Sequence, residues 1–169
     1  MVCYLSETFP ILPDRPCTPP RDVESMPLGL SRTYFKECDL QRLQDPQGQL
    51  NDVCIDGTSH LFHLLLLKMP TTQTAASRCT VFSTYIMRYI QDDARLDVIW
   101  RNTKQTPYWQ TDVWVIPIHD RDSKHWVVST IYLKEGRILF FDSLFTRATF
   151  EAYLPVLPTF SLTNNRLPV

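Results

Sequence analysis

"SKHWVVSTIYLKEGRILFFDSL", Ser123 to Leu144, holds two runs of β-branched and aromatic residues parted by Lys134, Glu135 and Gly136. Runs of that composition around a short polar turn containing glycine predict a β-hairpin. His125 opens the first strand and Asp142 closes the second. With the turn centred on Lys134 and Glu135, Val127 falls opposite Asp142. His125 then lies one diagonal step away on the same face, within side-chain reach. A register shift of one residue would put the two on opposite faces.

Upstream, "DVWVIPI" is a third strand of the same character, and its His119 leads into the loop "HDRDSK". Before the strands, "LQRLQDPQGQLND" supplies a turn at Asp45 to Gly48, after which Asn51 or Asp52 can cap a helix over "VCIDGTSHLFHLLLLKM". Gly57 weakens that helix without excluding it. "TVFSTYIMRYIQDD" places Val81, Phe82, Tyr85, Ile86 and Tyr89 on one apolar stripe and predicts a second helix, and "ARLDVIWRN" predicts a short third. Helices first and strands afterwards, without regular alternation, indicate an α+β fold in which helices precede an antiparallel meander. After Leu144 the tail predicts a short helix, then loses its pattern among Pro155, Pro158 and Pro168.

Residues 1–30 contain Pro10, Pro13, Pro16, Pro19, Pro20 and Pro27, which remove backbone donors and fix φ. A flexible or extended lead is expected there, with one domain over residues 31–169. The 169 residues are 44% hydrophobic, enough for a single core of ordinary size. A formal net charge of -1 lacks the excess of Lys and Arg that a nucleic-acid partner requires. The longest apolar run, Leu64 to Leu67, is far too short to span a bilayer, and the N-terminal stretch has no signal-peptide pattern. An intracellular protein, cytoplasmic or nuclear, with reduced thiols is expected.

The five cysteines, Cys3, Cys17, Cys38, Cys54 and Cys79, form no CxxC pair and have no zinc spacing with histidine. His60 and His63 share a helix without Cys or acidic partners at metal spacing, so no metal and no cofactor is expected. A general base needs an imidazole whose second nitrogen is held by a carboxylate or amide, and His125 with Asp142 can meet that need. A His at a strand entrance and an Asp before Ser as a helix cap also serve purely structural ends. His119 competes as a base, but its loop position favours solvation. Cys54 lies near a helix N-terminus, where a thiol pKa falls, but no papain-type local sequence surrounds it and it reads as a small buried apolar residue.

"QLND" before a helix, a second helix near "IWRN", then "VWVIPIH", "KHWVVSTIYL" and "ILFFDSL" resemble, in that order and spacing, the ubiquitin-like-protein-specific (SUMO-type) cysteine proteases. The resemblance covers Asp39 to about Leu154 and implies a papain-like fold of that protease type. It implies that His125 is the general base, that Asp142 orients it, and that Trp126 walls a tunnel for the Gly-Gly end of a SUMO or ubiquitin-like partner. Such a tunnel rejects any residue with a Cβ. Asn51 and Asp52 match the family's Leu-Asn-Asp element, where they count as substrate-binding, although Gln49 stands where a tryptophan usually precedes it.

The family's nucleophilic cysteine follows the aspartate, with an oxyanion glutamine shortly before it, whereas the last cysteine here is Cys79. The expectation is therefore a partial, incomplete peptidase or isopeptidase domain, inactive as it stands, since loss of a nucleophile costs on the order of 10⁶ in rate. A catalytically dead module that binds a ubiquitin-like protein, or a mobile-element relic, is the alternative. Without the remaining segment, the stripe of Val81, Phe82, Tyr85 and Tyr89 is expected to be partly uncovered and the chain poorly soluble or molten.

Overall fold

The computed structural model describes residues 3–8, 35–104, 106, 108–144, 151–153 and 155. Its centre is the expected hairpin, β4 (His125–Tyr132) and β5 (Arg137–Asp142), paired antiparallel from Tyr132↔Arg137 to Val128↔Phe141. The turn between them closes with Gly136 N–H donating to the Leu133 carbonyl at 3.4 Å. Gly136 has φ 56°, the left-handed region that a residue without Cβ enters at little cost.

β3 (Val113–Asp120) lies antiparallel to β4, with Ile116↔Ser129 and Ile118↔Val127 as partners. The five-stranded sheet has the order β1-β5-β4-β3-β2, in which β1 (Cys3–Thr8) runs antiparallel to β5 and β2 (Cys79–Val81) runs parallel to β3. Helices α1 (Glu37–Gln44), α2 (Asp52–Lys68), α3 (Gln73–Ser77), α4 (Tyr85–Gln91) and α5 (Leu96–Thr103) precede the β3–β4–β5 meander, with a 3-10 turn at Tyr108–Gln110. The fold is α+β, as the order of sequence patterns indicates.

One face of the meander is apolar because side chains alternate along each strand. Trp114, Ile116, Ile118, Val127, Ile131, Ile138 and Phe140 are all buried there and meet Phe82, Ile86 and Met87 from the α4 region, Ile99 from α5, and Tyr108. Burying each large side chain contributes about 1.5–3 kcal/mol before conformational entropy is charged against it. Trp114 fixes the junction with the helices: its indole N–H donates to the Tyr108 carbonyl at 3.1 Å, and Phe82 and Tyr108 present edges to its ring.

The structure corrects two expectations. The segment read as one helix over "TVFSTYIMRYIQDD" divides into β2 and α4. Thr80 and Val81 are β-branched and take a place beside β3, and Phe82 N–H extends the pairing by donating to the Val115 carbonyl at 2.9 Å. The Asp56 carboxylate of α2 then accepts from Ser83 Oγ at 2.6 Å and Thr84 N–H at 2.8 Å, so the helix begins after these residues. Of the stripe expected to be partly uncovered, Phe82 is buried and Tyr89 packs against the core, while Tyr85 is 44% exposed. Within the expected lead, Cys3–Thr8 is an edge strand, a position that precedes the first proline and needs no interior pairing. The remaining prolines of that lead, and Pro158 and Pro168 of the tail, lie outside the described residues. Residues 151–153 are helical, and the rest of the expected tail helix is also outside the described residues.

Two short helices, α1 and α3, carry no sequence stripe of their own and are held by α2. His63, buried on α2, lies with Nε2 2.9 Å from the Ala76 carbonyl of α3, a contact in which the ring nitrogen must donate. Among the described residues, no helix is long and apolar enough to cross a membrane.

Candidate functional site

Strand geometry brings His125 and Asp142 together. The pairing that ends at Val128↔Phe141 continues one step to Val127 opposite Asp142, and His125 then sits diagonally on the same face. His125 Nε2 lies 3.0 Å from Asp142 Oδ1, with side-chain exposures of 20% and 5%. Asp142 Oδ1 also accepts Leu144 N–H at 2.8 Å, a contact that fixes the carboxylate within its own turn. Ser143 Oγ stands 3.4 Å from the same imidazole nitrogen.

The chemistry of such a pair follows from what each atom can do. An ionised carboxylate only accepts, so Nε2 carries the proton and Nδ1 of the neutral ring is left with a lone pair. A ring held in that tautomer takes a proton at Nδ1, and the adjacent carboxylate stabilises the imidazolium that results. The pair stands at the rim of the buried face, where water is partly excluded. Lys124, just before His125, adopts φ 53°, so the chain turns sharply into the strand at His125 itself.

Trp126 points to the opposite face of β4, as alternation requires. Its ring lies 4.6 Å from the ring of His119, its β3 partner, at an interplanar angle of 34°. Its Nε1–H donates to the Leu50 carbonyl at 2.9 Å, so the residue before Asn51 and the residue after His125 meet across 76 positions of sequence. His119, read from sequence as a solvated competitor for the base, is exposed but serves as the floor under Trp126.

Asn51 and Asp52 begin α2. Asn51 is its N-cap, with Oδ1 accepting Cys54 N–H at 2.9 Å, which satisfies one of the orphan donors of the first turn. Its Nδ2–H donates to Asp39 Oδ1 of α1 at 2.7 Å. That hydrogen bond first, and then the Lys36 backbone N–H, hold the Asp39 carboxyl below its ordinary pKa. Asp52 is hydrogen-bonded to Tyr85 of α4, whose hydroxyl pKa is raised by burial and further by that carboxylate. Both side chains are thus engaged in holding helix ends, and Asn51 reaches Trp126 only through its neighbour's carbonyl. Asp39 and the Leu50 carbonyl were not legible as site elements. A single acid in a short polar helix and a backbone oxygen leave no pattern to read.

Cys54 is fully buried, with Sγ 3.5 Å from the Asp39 carbonyl, which agrees with the small-apolar reading of this residue. Burial pushes the Cys79 thiol pKa up, and its Sγ donates to the Ala75 carbonyl. Cys38 is exposed on α1. Among the described residues, no group of three His, Cys, Asp or Glu side chains could hold a metal ion.

A helix-then-meander α+β domain is consistent with the catalytic-domain fold of the Ulp1 protease family. Residues 50–160 match the family model described as the Ulp1 protease family, C-terminal catalytic domain, and the chain belongs to that family. Membership makes it a cysteine peptidase by family, in a group that acts on SUMO and other ubiquitin-like proteins. None of the curated proteins compared with the chain matches it.

Proposed function

We propose that this chain provides the proton-handling and substrate-gating part of a SUMO-type peptidase or isopeptidase site, one that acts after the Gly-Gly end of a ubiquitin-like protein. The observation that carries this reading is the His125–Asp142 pair at 3.0 Å, set beside Trp126 on the adjoining position of the same strand. His125 takes the proton of an attacking thiol at Nδ1 and returns it to the leaving amine. Asp142 keeps Nε2 protonated and stabilises the imidazolium between those steps. Trp126 serves as a wall against which only a Gly-Gly backbone lies flat, since a Cβ would meet the indole. Asn51 and Asp52 support substrate binding by fixing the start of α2 beside that wall. An intracellular setting, cytoplasmic or nuclear, goes with this reading.

The thiol is not Cys54, which is buried and turned to the Asp39 carbonyl, and no cysteine among the 169 residues follows Asp142.

Titration of the ¹⁵N-labelled chain with SUMO-type and other ubiquitin-like proteins tests the reading. A Gly-Gly-terminated partner is expected to shift the Trp126 indole resonance, and the same partner ending in Ala-Ala is expected to leave it in place. Absence of any shift with every Gly-Gly-terminated partner, or equal shifts with both ends, overturns it.

A further inference from the structure

Two carboxylates among the described residues are nearly inaccessible: Asp142, 3% exposed, and Asp39, 4% exposed. The first orients His125. The second stands on α1, outside the residues matched by the family model. Burying a carboxylate is costly unless its oxygens are hydrogen-bonded, so its partners identify its purpose. Oδ2 accepts the Lys36 backbone N–H at 2.9 Å and Oδ1 accepts Asn51 Nδ2–H at 2.7 Å.

We propose that Asp39 is a positioning residue for Trp126, acting through the side chain of Asn51 and the carbonyl of Leu50. The Asn51 amide has one permitted orientation, because the carboxylate can only accept and Cys54 N–H can only donate. With both ends engaged, the Asn51 backbone is held at φ -96°, ψ 176°. The peptide unit that joins it to Leu50 is planar, so the Leu50 carbonyl is aimed with it. That carbonyl receives the Trp126 indole N–H, while His119 supports the ring face. The Cys54 Sγ contact to the Asp39 carbonyl adds a second tie between the same two helices. The wall beside His125 is thus set from a helix outside the residues matched by the family model. For its meaning in substrate choice the inference rests on Trp126 being a substrate wall. The positional coupling itself does not.

The test uses the full chain and reads the Trp126 indole ¹H–¹⁵N resonance, assigned by its loss in Trp126→Phe. Asn51→Asp places two carboxylates against each other yet keeps a residue that caps a helix equally well, so it breaks this one link. It is expected to move the indole resonance and to make that N–H exchange with water about tenfold faster. The reciprocal pair Asp39→Asn with Asn51→Asp restores a donor facing an acceptor and leaves an acceptor for Lys36 N–H. Return of the indole to its original position and exchange rate is expected. An unmoved indole in a folded Asn51→Asp protein, or a folded reciprocal variant whose indole stays displaced, overturns the proposal. If Asn51→Asp alone does not fold, the reciprocal variant decides by the same criterion. Failure of the Gly-Gly titration with success here would remove the substrate reading and leave the coupling standing.

Discussion

His125 and Asp142, seventeen positions apart in sequence, meet at 3.0 Å because the β4–β5 turn sets a register in which both side chains emerge on one face. The carboxylate oxygen that holds the imidazole also accepts Leu144 N–H, so one atom orders both the His125 ring and the exit from β5. Asp142→Ala removes two charge-assisted hydrogen bonds, and a loss of about 1–3 kcal/mol in denaturant unfolding is expected. Asp142→Asn keeps an acceptor in place and is expected to cost less than half as much. Equal costs for the two variants would show that the contacts are not made by the carboxylate oxygen.

Cys54 is the thiol nearest to mimicking a papain-type order of residues, and its burial removes it from that role. A ubiquitin-like protein carrying a C-terminal vinyl sulfone is expected to leave Cys54 unmodified, as read by intact mass and peptide mapping. Cys54→Ala should cost about 1 kcal/mol through lost packing and leave any residual labelling unchanged. A Cys54 adduct formed by the native protein would reverse this assignment.

The hairpin and the position of its turn were legible because strand composition and a single glycine agree on one arrangement, whereas the register that brings His125 and Asp142 to one face was permitted by that turn without being fixed by it. A cap for α2 at Asn51 or Asp52 was legible for a similar reason, since cap chemistry is local, and the structure selects Asn51. The division of "TVFSTYIMRYIQDD" was not. Its apolar positions fit a helix, and only the place beside β3 and the carboxylate of Asp56, 28 positions before Thr84, decide that Thr80 and Val81 extend instead. The same limit hid Asp39 and Leu50: the contacts that give them importance lie 12 and 76 positions away and leave no periodic trace.

His60 on α2 carries a pH dependence. Burial lowers its pKa below the ordinary value, Asp56 partly offsets this, and His63 adds to the lowering. The unfolded chain therefore takes up this proton first, near pH ~6.5. The contribution of neutral His60 to stability is present above that pH and is lost as pH falls toward the folded-state pKa. His60→Gln is expected to flatten the dependence of the unfolding midpoint between pH 7 and 5, by roughly the stability the native protein loses there. An unchanged slope in the variant would remove His60 as its source.

Gly57 was expected only to weaken α2, and the structure gives it a packing role. A Cβ at this position would stand 2.2 Å from Phe35 Cζ and 2.6 Å from Cε2, so the ring lies directly against the helix backbone. Gly57→Ala gains about 1 kcal/mol of helix propensity but forces Phe35 aside, and overpacking of this kind costs about 1–3 kcal/mol. A net loss of about 1 kcal/mol is expected in urea unfolding. In a Phe35→Ala background the obstruction is gone, and the same substitution should become stabilising by up to about 1 kcal/mol. The reversal of sign is the diagnostic outcome, because propensity alone predicts a gain in both backgrounds and a backbone requirement predicts a loss in both. Gly57 lies three residues beyond Cys54 and six beyond Asn51, so displacement of Phe35 bears on the end of α2 that follows the Leu50 carbonyl. The Trp126 indole resonance should therefore move in Gly57→Ala and stay closer to its native position in the double variant.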